Sequence, residues 1–261
     1  MQKKLCFKIK DKSKFISPFL SIISFFCIIL FWTVLAKIIN SSFVMPKPTE
    51  VFFALKNLFS KKSFYLQIFA TMFRSLYAFI LSFFISLFLG TLCGFSKTFS
   101  KLFDFPLGII KAAPVVSFIL CALFLFSTNT VPIFVSVLMT LPVMTTSIAT
   151  GIQNIDTNLL QMSQVYSFSK KQKIKYIYIP SIKTYLFSGM ISSFALSWKV
   201  VVASEVLCLP KFSLGTAMYT AKVHLETAEV FAISFVVIFL SFICEKFFTQ
   251  IFKKKKKEST K

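Results

Sequence analysis

From residue 112 to residue 155 the chain runs 44 residues without an Asp, Glu, Lys or Arg. About 20 apolar residues already cross the ~30 Å hydrocarbon core of a bilayer as a helix, so this run alone holds two crossings. Residues 15–36 and 75–96 are likewise uncharged, and 185–206 and 230–248 are mostly apolar. In lipid no water satisfies the peptide groups, so each run must close its own hydrogen bonds as a helix. A closed barrel would instead show alternating segments of about ten residues, a pattern not found here. The chain is therefore expected to be an all-α integral membrane protein. Residues Ser127, Thr128, Asn129 and Thr130 are a turn that divides the long run. The expected spans are then six: 15–36, 75–96, 105–126, 131–150, 185–206 and 230–248.

A formal charge of +21 raises the question of nucleic acid. The lysines, however, cluster at 3–14, 170–183 and 253–261, outside the apolar runs, and Arg74 is the single arginine. Lysines beside spans hold those segments in the cytoplasm and attract anionic lipid. Six precede the first span and seven follow from Lys246 onward. With six spans both termini share one side, and this bias makes it the cytoplasmic one. The expected organisation is a basic cytoplasmic N-terminus (1–14), a transmembrane domain (15–250) containing a cytoplasmic loop (151–183), and a lysine-rich cytoplasmic tail (251–261). Residues 15–36 follow basic residues as a signal sequence would, but lack a small-x-small cleavage site and read as an uncleaved span. The cysteines at 6, 27, 93, 121, 208 and 244 have no metal-ligand spacing, and His224 is the single histidine, so no metal is expected. A GxxxxGK[ST] phosphate loop is missing from the sequence, so no ATP hydrolysis is expected in this chain.

Two connecting segments carry their own patterns. In 45–59, Pro46 and Pro48 stiffen the approach, Thr49 can cap and Glu50 suits a first turn. Val51, Leu55, Leu58 and Phe59 then share a stripe, which predicts a short helix on the outer surface. In 151–180, GIQNIDTNLLQMSQVYSFSKKQKIKYIYIP, apolar Ile155, Leu159, Met162 and Tyr166 recur at helical spacing. Asn154 or Asp156 can cap this helix, and Ser167 to Ser169 weakens its continuation. Such a helix can dock into a cleft on a cytoplasmic partner or rest on the membrane surface.

Charges within spans are costly unless they face protein or water. Lys199 could line a pathway and attract an anion, pair with a neighbouring helix, or sit at a hydrated end of its span. Glu205, closer to the outer surface, is a candidate loop anchor or gate residue. Arg74 is expected to anchor one end of the second span, with a phosphate contact or an acidic partner as the open alternatives. Gly90 and Gly94 form GxxxG, which permits close helix packing. Pro114, Pro132 and Pro142 are expected at bends or in first turns.

Several stretches together resemble the permease subunits of binding-protein-dependent ABC importers, especially the nitrate/sulfonate/taurine and thiamine-precursor branch. That family's cytoplasmic loop reads E-A-A, three residues, G, nine residues, I-x-L-P. The corresponding positions are Gln161, Met162 and Ser163, then Ser167, then Ile177, Ile179 and Pro180. Spacing is kept, while Gln replaces the glutamate, Met162 and Ser163 the alanines, and Ser167 the glycine. VMPKPTEVFFAL (44–55), TMFRSLYAF (71–79) with Gly90 and Gly94, and SWKVVVASEVL (197–207) followed by Leu214-Gly215 extend the similarity over residues 15–250. The resemblance implies six helices of the type I importer permease kind in a bacterial inner membrane. It implies a loop helix formed by Leu159, Leu160, Gln161, Met162, Ser163 and Tyr166 that seats in a cytoplasmic ABC ATPase dimer, with ATP and Mg bound there rather than here. It further implies a second permease copy (a homodimer), an extracytoplasmic substrate-binding protein and a surrounding of membrane lipid, without nucleic acid. The alternatives are an ion-coupled carrier or channel acting without an ATPase, and a membrane scaffold protein; the first would favour internal repeats and midplane charges in broken helices.

Overall fold

In the computed structural model of the chain the described residues are 20, 23–24 and 26–258, with side chains described to residue 250 except at 248. The basic segment 1–14, the start of the first expected span and Cys6 lie outside them. All regular structure among the described residues is helical. The elements are α1 (Phe26–Ile39), α2 (Pro48–Ser60), α3 (Lys62–Phe95), α4 (Lys97–Ala112), α5 (Val115–Leu125), α6 (Val131–Gln153) and α7 (Thr157–Val165). There follow α8 (Lys170–Lys173), a π-helical turn (Ile174–Tyr178), α9 (Ile179–Cys208), α10 (Leu214–Val223) and α11 (Thr227–Glu258).

The expectation of six spans is corrected. Among the described residues four helical stretches are long and apolar enough to cross a membrane: Lys62–Phe95, Val131–Gln153, Lys170–Cys208 and Thr227–Phe247. A fifth crossing arises only if the bent pair α4 and α5 is one span, and that pair turns through 99°. The third expected span, 105–126, is therefore not one rod. Its break has a local cause, since Pro114 forces the preceding residue out of the helical region. Ala113 accordingly sits at φ −77°, ψ 141° and ends α4. Of the first expected span the structure describes Leu20, Ile23 and Ser24, also helical, and the start of α1, Phe26–Ile39, a shorter apolar helix; the rest of that span lies outside the described residues. Pro132 falls in the first turn of α6 and Pro142 inside it, so of the three singled-out prolines only Pro114 breaks a helix.

The described chain packs as two units. One draws on residues up to Ser60 together with Ala221–Ser234. There the Glu50 carboxylate accepts from the Lys47 N–H at 3.1 Å and from Ser42 Oγ at 3.0 Å, fixing the start of α2 as its place in the first turn predicts. Thr227 Oγ1 donates to the Phe43 carbonyl at 2.7 Å, and Trp32 stacks on Phe231.

The other unit, Lys61–Thr220 with Phe235–Lys261, holds α3, α6 and α9 packed on one another. One face of α3 presents Thr71, Ser75, Ala78, Ser82, Ser86, Gly90 and Cys93, all buried and all small. Between membrane helices the apolar effect supplies no drive, so close packing of small residues and interhelical hydrogen bonds do the work. Ser82 and Thr140 meet at 2.8 Å, Ser136 and Ser197 at 2.8 Å, and Ser197 donates to the Ser75 carbonyl at 3.0 Å. Met144, Ile148 and Ile152 of α6 form a buried row against Phe83 of α3 and Ile182, Leu186 and Met190 of α9. A second cluster joins Ile119 and Ala122 of α5 to Val131 and Val135 of α6 and Val200 and Cys208 of α9. Among the described cysteines Cys93 and Cys208 are buried as small core residues, while Cys27 and Cys121 are exposed, and none is bridged.

Candidate functional site

The loop between α6 and α9 is built by helix-end chemistry at each step. Asp156, one of the two expected caps, accepts from the Asn158 N–H at 2.8 Å and starts α7. Its far end is closed by the Phe168 N–H on the Ser163 carbonyl at 2.9 Å and the Ser167 N–H on the Gln164 carbonyl at 3.0 Å. This paired closure requires a left-handed residue at its second-to-last position, a place glycine usually fills. Ser167 occupies it at φ 48°. The side chain there costs roughly 1–2 kcal/mol relative to an unstrained backbone. Ser167→Gly is accordingly expected to raise unfolding stability by about 1 kcal/mol, read as a higher denaturation midpoint of the purified chain.

Ser169 then restarts the helix through a capping box with Gln172, with bonds of 2.8 and 3.4 Å. The π-helical turn follows, closing on a bond from the Ile179 N–H to the Ile174 carbonyl immediately ahead of Pro180. Proline offers no N–H to continue the regular ladder, and a wider turn beside it accommodates that loss.

The expected apolar stripe divides. Ile155 is buried below the cap, whereas Leu159 and Met162 are exposed, as are Val165 (81%) and Tyr166 (71%). Leu160 is half-buried and Gln161 exposed. Ser163 is buried and donates to the Leu160 carbonyl at 2.6 Å, so the position facing into the loop needs a small residue. Ile177 is buried and anchors the segment, while Ile179 and Pro180 are exposed. The loop thus presents an apolar ridge on a short, doubly capped helix, with Lys170, Lys171 and Lys175 exposed beyond it.

At the opposite end of α9 lies a second constellation. Glu205 is fully buried, and its Oε1 meets Arg74 Nη1 of α3 at 2.9 Å. Thr71 Oγ1 donates to Oε2 at 2.9 Å and the Gly215 N–H to the same oxygen at 3.3 Å. Arg74 also donates to the carbonyls of Lys211 (2.9 Å) and Phe212 (3.2 Å). The pair therefore fastens the loop between α9 and α10, whose left-handed residues Leu209 and Phe212 fold it back. Gly215 is required by proximity, since a Cβ there would run into Glu205 Cβ and lie 2.6 Å from the Val206 nitrogen. Arg74 thus sits within α3 and takes an acidic partner, one of the alternatives the sequence left open. The sequence offered a signal for this pairing, namely two opposite charges in apolar runs that lipid cannot accept unpaired.

Lys199 is exposed on α9 between buried Trp198 and Val200, and among the described residues no ion pair reaches it. It is not joined to Glu205. Gly90 and Gly94 lie where α3 meets α6: a Cβ on Gly90 would stand 2.7 Å from Ile148 Cβ, and one on Gly94 2.7 Å from Ile152 Cβ. Gly90→Ala should destabilise by about 1–3 kcal/mol through overpacking. Gly108→Ala in α4, where nothing lies within 4 Å, should be neutral or slightly stabilising by thermal unfolding. Among the described residues no group of three or more His, Cys, Asp or Glu could hold a metal ion.

The family model described as binding-protein-dependent transport system inner membrane component matches residues 11–257. No curated protein sequence matches the chain. Among solved structures, one titled as the crystal structure of an amino acid ABC transporter with histidines is similar at a TM-score of 0.59 and 16% identity, over 74% of this chain and 94% of that one. At that identity the likeness speaks for the fold alone.

Proposed function

We propose that this chain, which belongs to the family of binding-protein-dependent transport system inner membrane components, is driven by a cytoplasmic ATPase that seats the α7 ridge. The chain is a membrane-embedded, permease-like subunit of an ABC-type importer and a transport subunit rather than an enzyme, with ATP hydrolysis on another chain. The observation that carries the proposal is the exposure of Leu159, Met162, Val165 and Tyr166 on a helix capped at both ends. A rigid apolar ridge of this kind docks at little entropy cost. Closure of two ATPase subunits around ATP and Mg would push α7, and the π turn and α9 would carry that displacement into the membrane. Gln161 supplies hydrogen bonds in the docked state without a charge, and Met162 suits a soft, roomy cleft.

This reading places the α6–α9 loop and both termini in the cytoplasm. It rests on the lysine distribution; four spans would also put both termini on one side, whereas a fifth would separate them. A second copy of the chain completes the pathway, and an extracytoplasmic binding protein delivers the solute. Resemblance in 44–55 and 197–207 favours the branch that moves nitrate, sulfonates, taurine or thiamine precursors. Lys199 supports an anion: a lysine facing lipid costs about 2.5–3.5 kcal/mol at midspan, so its exposed side belongs against water or a partner chain. Lys199→Met is expected to weaken uptake of an anionic solute about tenfold without altering ATP hydrolysis. Equal uptake by both forms would remove the lysine from the pathway.

Reconstitution tests the whole. Uptake into proteoliposomes should need the ATPase with ATP inside and the binding protein outside. Uptake sustained by an ion gradient, with no ATPase present, would refute the reading.

A further inference from the structure

Where α3 and α9 separate over α6, an open groove of about 600 Å³ runs along the helices. Leu87 and Thr91 form one wall, Ile148 and Ile152 the floor, and Ile182 and Leu186 the other wall. From Leu87 to Phe95 it extends about 12 Å along α3. The ring of Phe95 against Tyr178, centroids 5.1 Å apart, closes the end nearest the α6–α9 loop. Lys183 lies at the groove's rim, its Nζ 5.9 Å from the centroid of the Phe187 ring.

The sequence on the α9 side is basic, although Asp104 of α4 lies near enough to act on Cys93, two residues before Phe95. From residue 157 to residue 204 the sequence holds no carboxylate, while Lys170, Lys171, Lys173, Lys175 and Lys183 fall within it. Lys97 follows two residues after Phe95. Basic residues beside an apolar cleft between spans suit an amphiphile of opposite charge, with its phosphate outside and a tail within. A second helix is about 10–12 Å across and would be stopped at the Phe95–Tyr178 contact, whereas a hydrocarbon tail can end within the groove's length.

We propose that this groove is a site for one anionic phospholipid, an acyl chain lying between Leu87 and Thr91 on one side and Ile182 and Leu186 on the other, over the buried Ile148 and Ile152, and the phosphate held by Lys183 and the lysines before it. Its occupancy would fix the spacing of α3 and α9 beside the loop. The proposal depends only on the chain being embedded in a membrane, whichever solute is moved.

The test is native mass spectrometry and thermal unfolding of the detergent-purified full chain titrated with phosphatidylglycerol and, separately, phosphatidylcholine. Phosphatidylglycerol should be retained preferentially and raise the melting temperature. Lys183→Gln should reduce that preference about fivefold, and Lys222→Gln, remote in sequence from the groove, should leave it unchanged. Thr91→Trp, which fills the groove, should abolish retention of both lipids. Equal retention of the two lipids by the native chain, or a preference untouched by Lys183→Gln, would overturn the site. So would stabilisation by inorganic phosphate alone to the same degree. A cross-link between two copies through Thr91→Cys in the lipid-bound protein would assign the groove to a second chain instead.

Discussion

Met162→Glu is expected to lower ATP-driven uptake by at least tenfold while leaving the chain folded. Met162 is exposed in the free chain, so a carboxylate there meets water and should change stability by no more than about 0.5 kcal/mol. Once α7 is seated in an apolar cleft the same carboxylate is stripped of water without a partner, at a cost of several kcal/mol. Each ~1.4 kcal/mol is a factor of ten in affinity, so the docked state should lose two or more orders of magnitude. The signature is therefore a split: an unchanged melting temperature beside failed uptake in proteoliposomes. Normal uptake by this variant would show that α7 is not the docking element.

The largest expected effect on stability lies at the other end of α9. Arg74→Met leaves the Glu205 carboxylate buried with Thr71 and the Gly215 N–H but no cation. Breaking a buried pair on one side costs about 3–5 kcal/mol, because the remaining charge stays uncompensated. At 2–4 °C per kcal/mol this corresponds to a fall in melting temperature of about 10 °C. The carbonyls of Lys211 and Phe212 lose their donor in the same step, so the loop should also loosen, seen as faster amide exchange there. Glu205→Gln keeps an oxygen to accept from Thr71 and Gly215 and should be milder. The double variant Arg74→Met with Glu205→Gln should recover part of the loss of Arg74→Met alone. A double variant no better than the single would show that the pair is not coupled.

How much of this was legible in the sequence depends on the range of the forces involved. Local signals read well: the described uncharged runs became helices apart from the turn between α5 and α6, Asp156 proved the cap of α7, and Glu50 fixed the start of α2. The helix count did not, because hydropathy integrates over a window and is blind to one peptide unit. Ala113 before Pro114 is enough to turn one apolar run into two helices at 99°. Helix ends were misjudged for a related reason: α3 begins at Lys62 and carries Arg74 in its interior, since a charge neutralised by Glu205 does not mark a boundary. No periodicity relates residues 74 and 205, so that contact could be inferred only from the cost of leaving either charge alone in lipid. The left-handed Ser167 is instructive in the other direction. The glycine expected from the resemblance is missing, yet the backbone keeps the glycine's conformation, held by the closing bonds of Ser167 and Phe168.

The central claim is that the α7 ridge is the seat of an ATPase. The most direct measurement is an electron cryomicroscopy structure of the chain in nanodiscs with its ATPase. The account predicts Leu159, Met162 and Tyr166 buried in a cleft of the nucleotide-binding subunit. An assembly that still transports solute while α7 lies on the bilayer, out of contact with any ATPase, would contradict it.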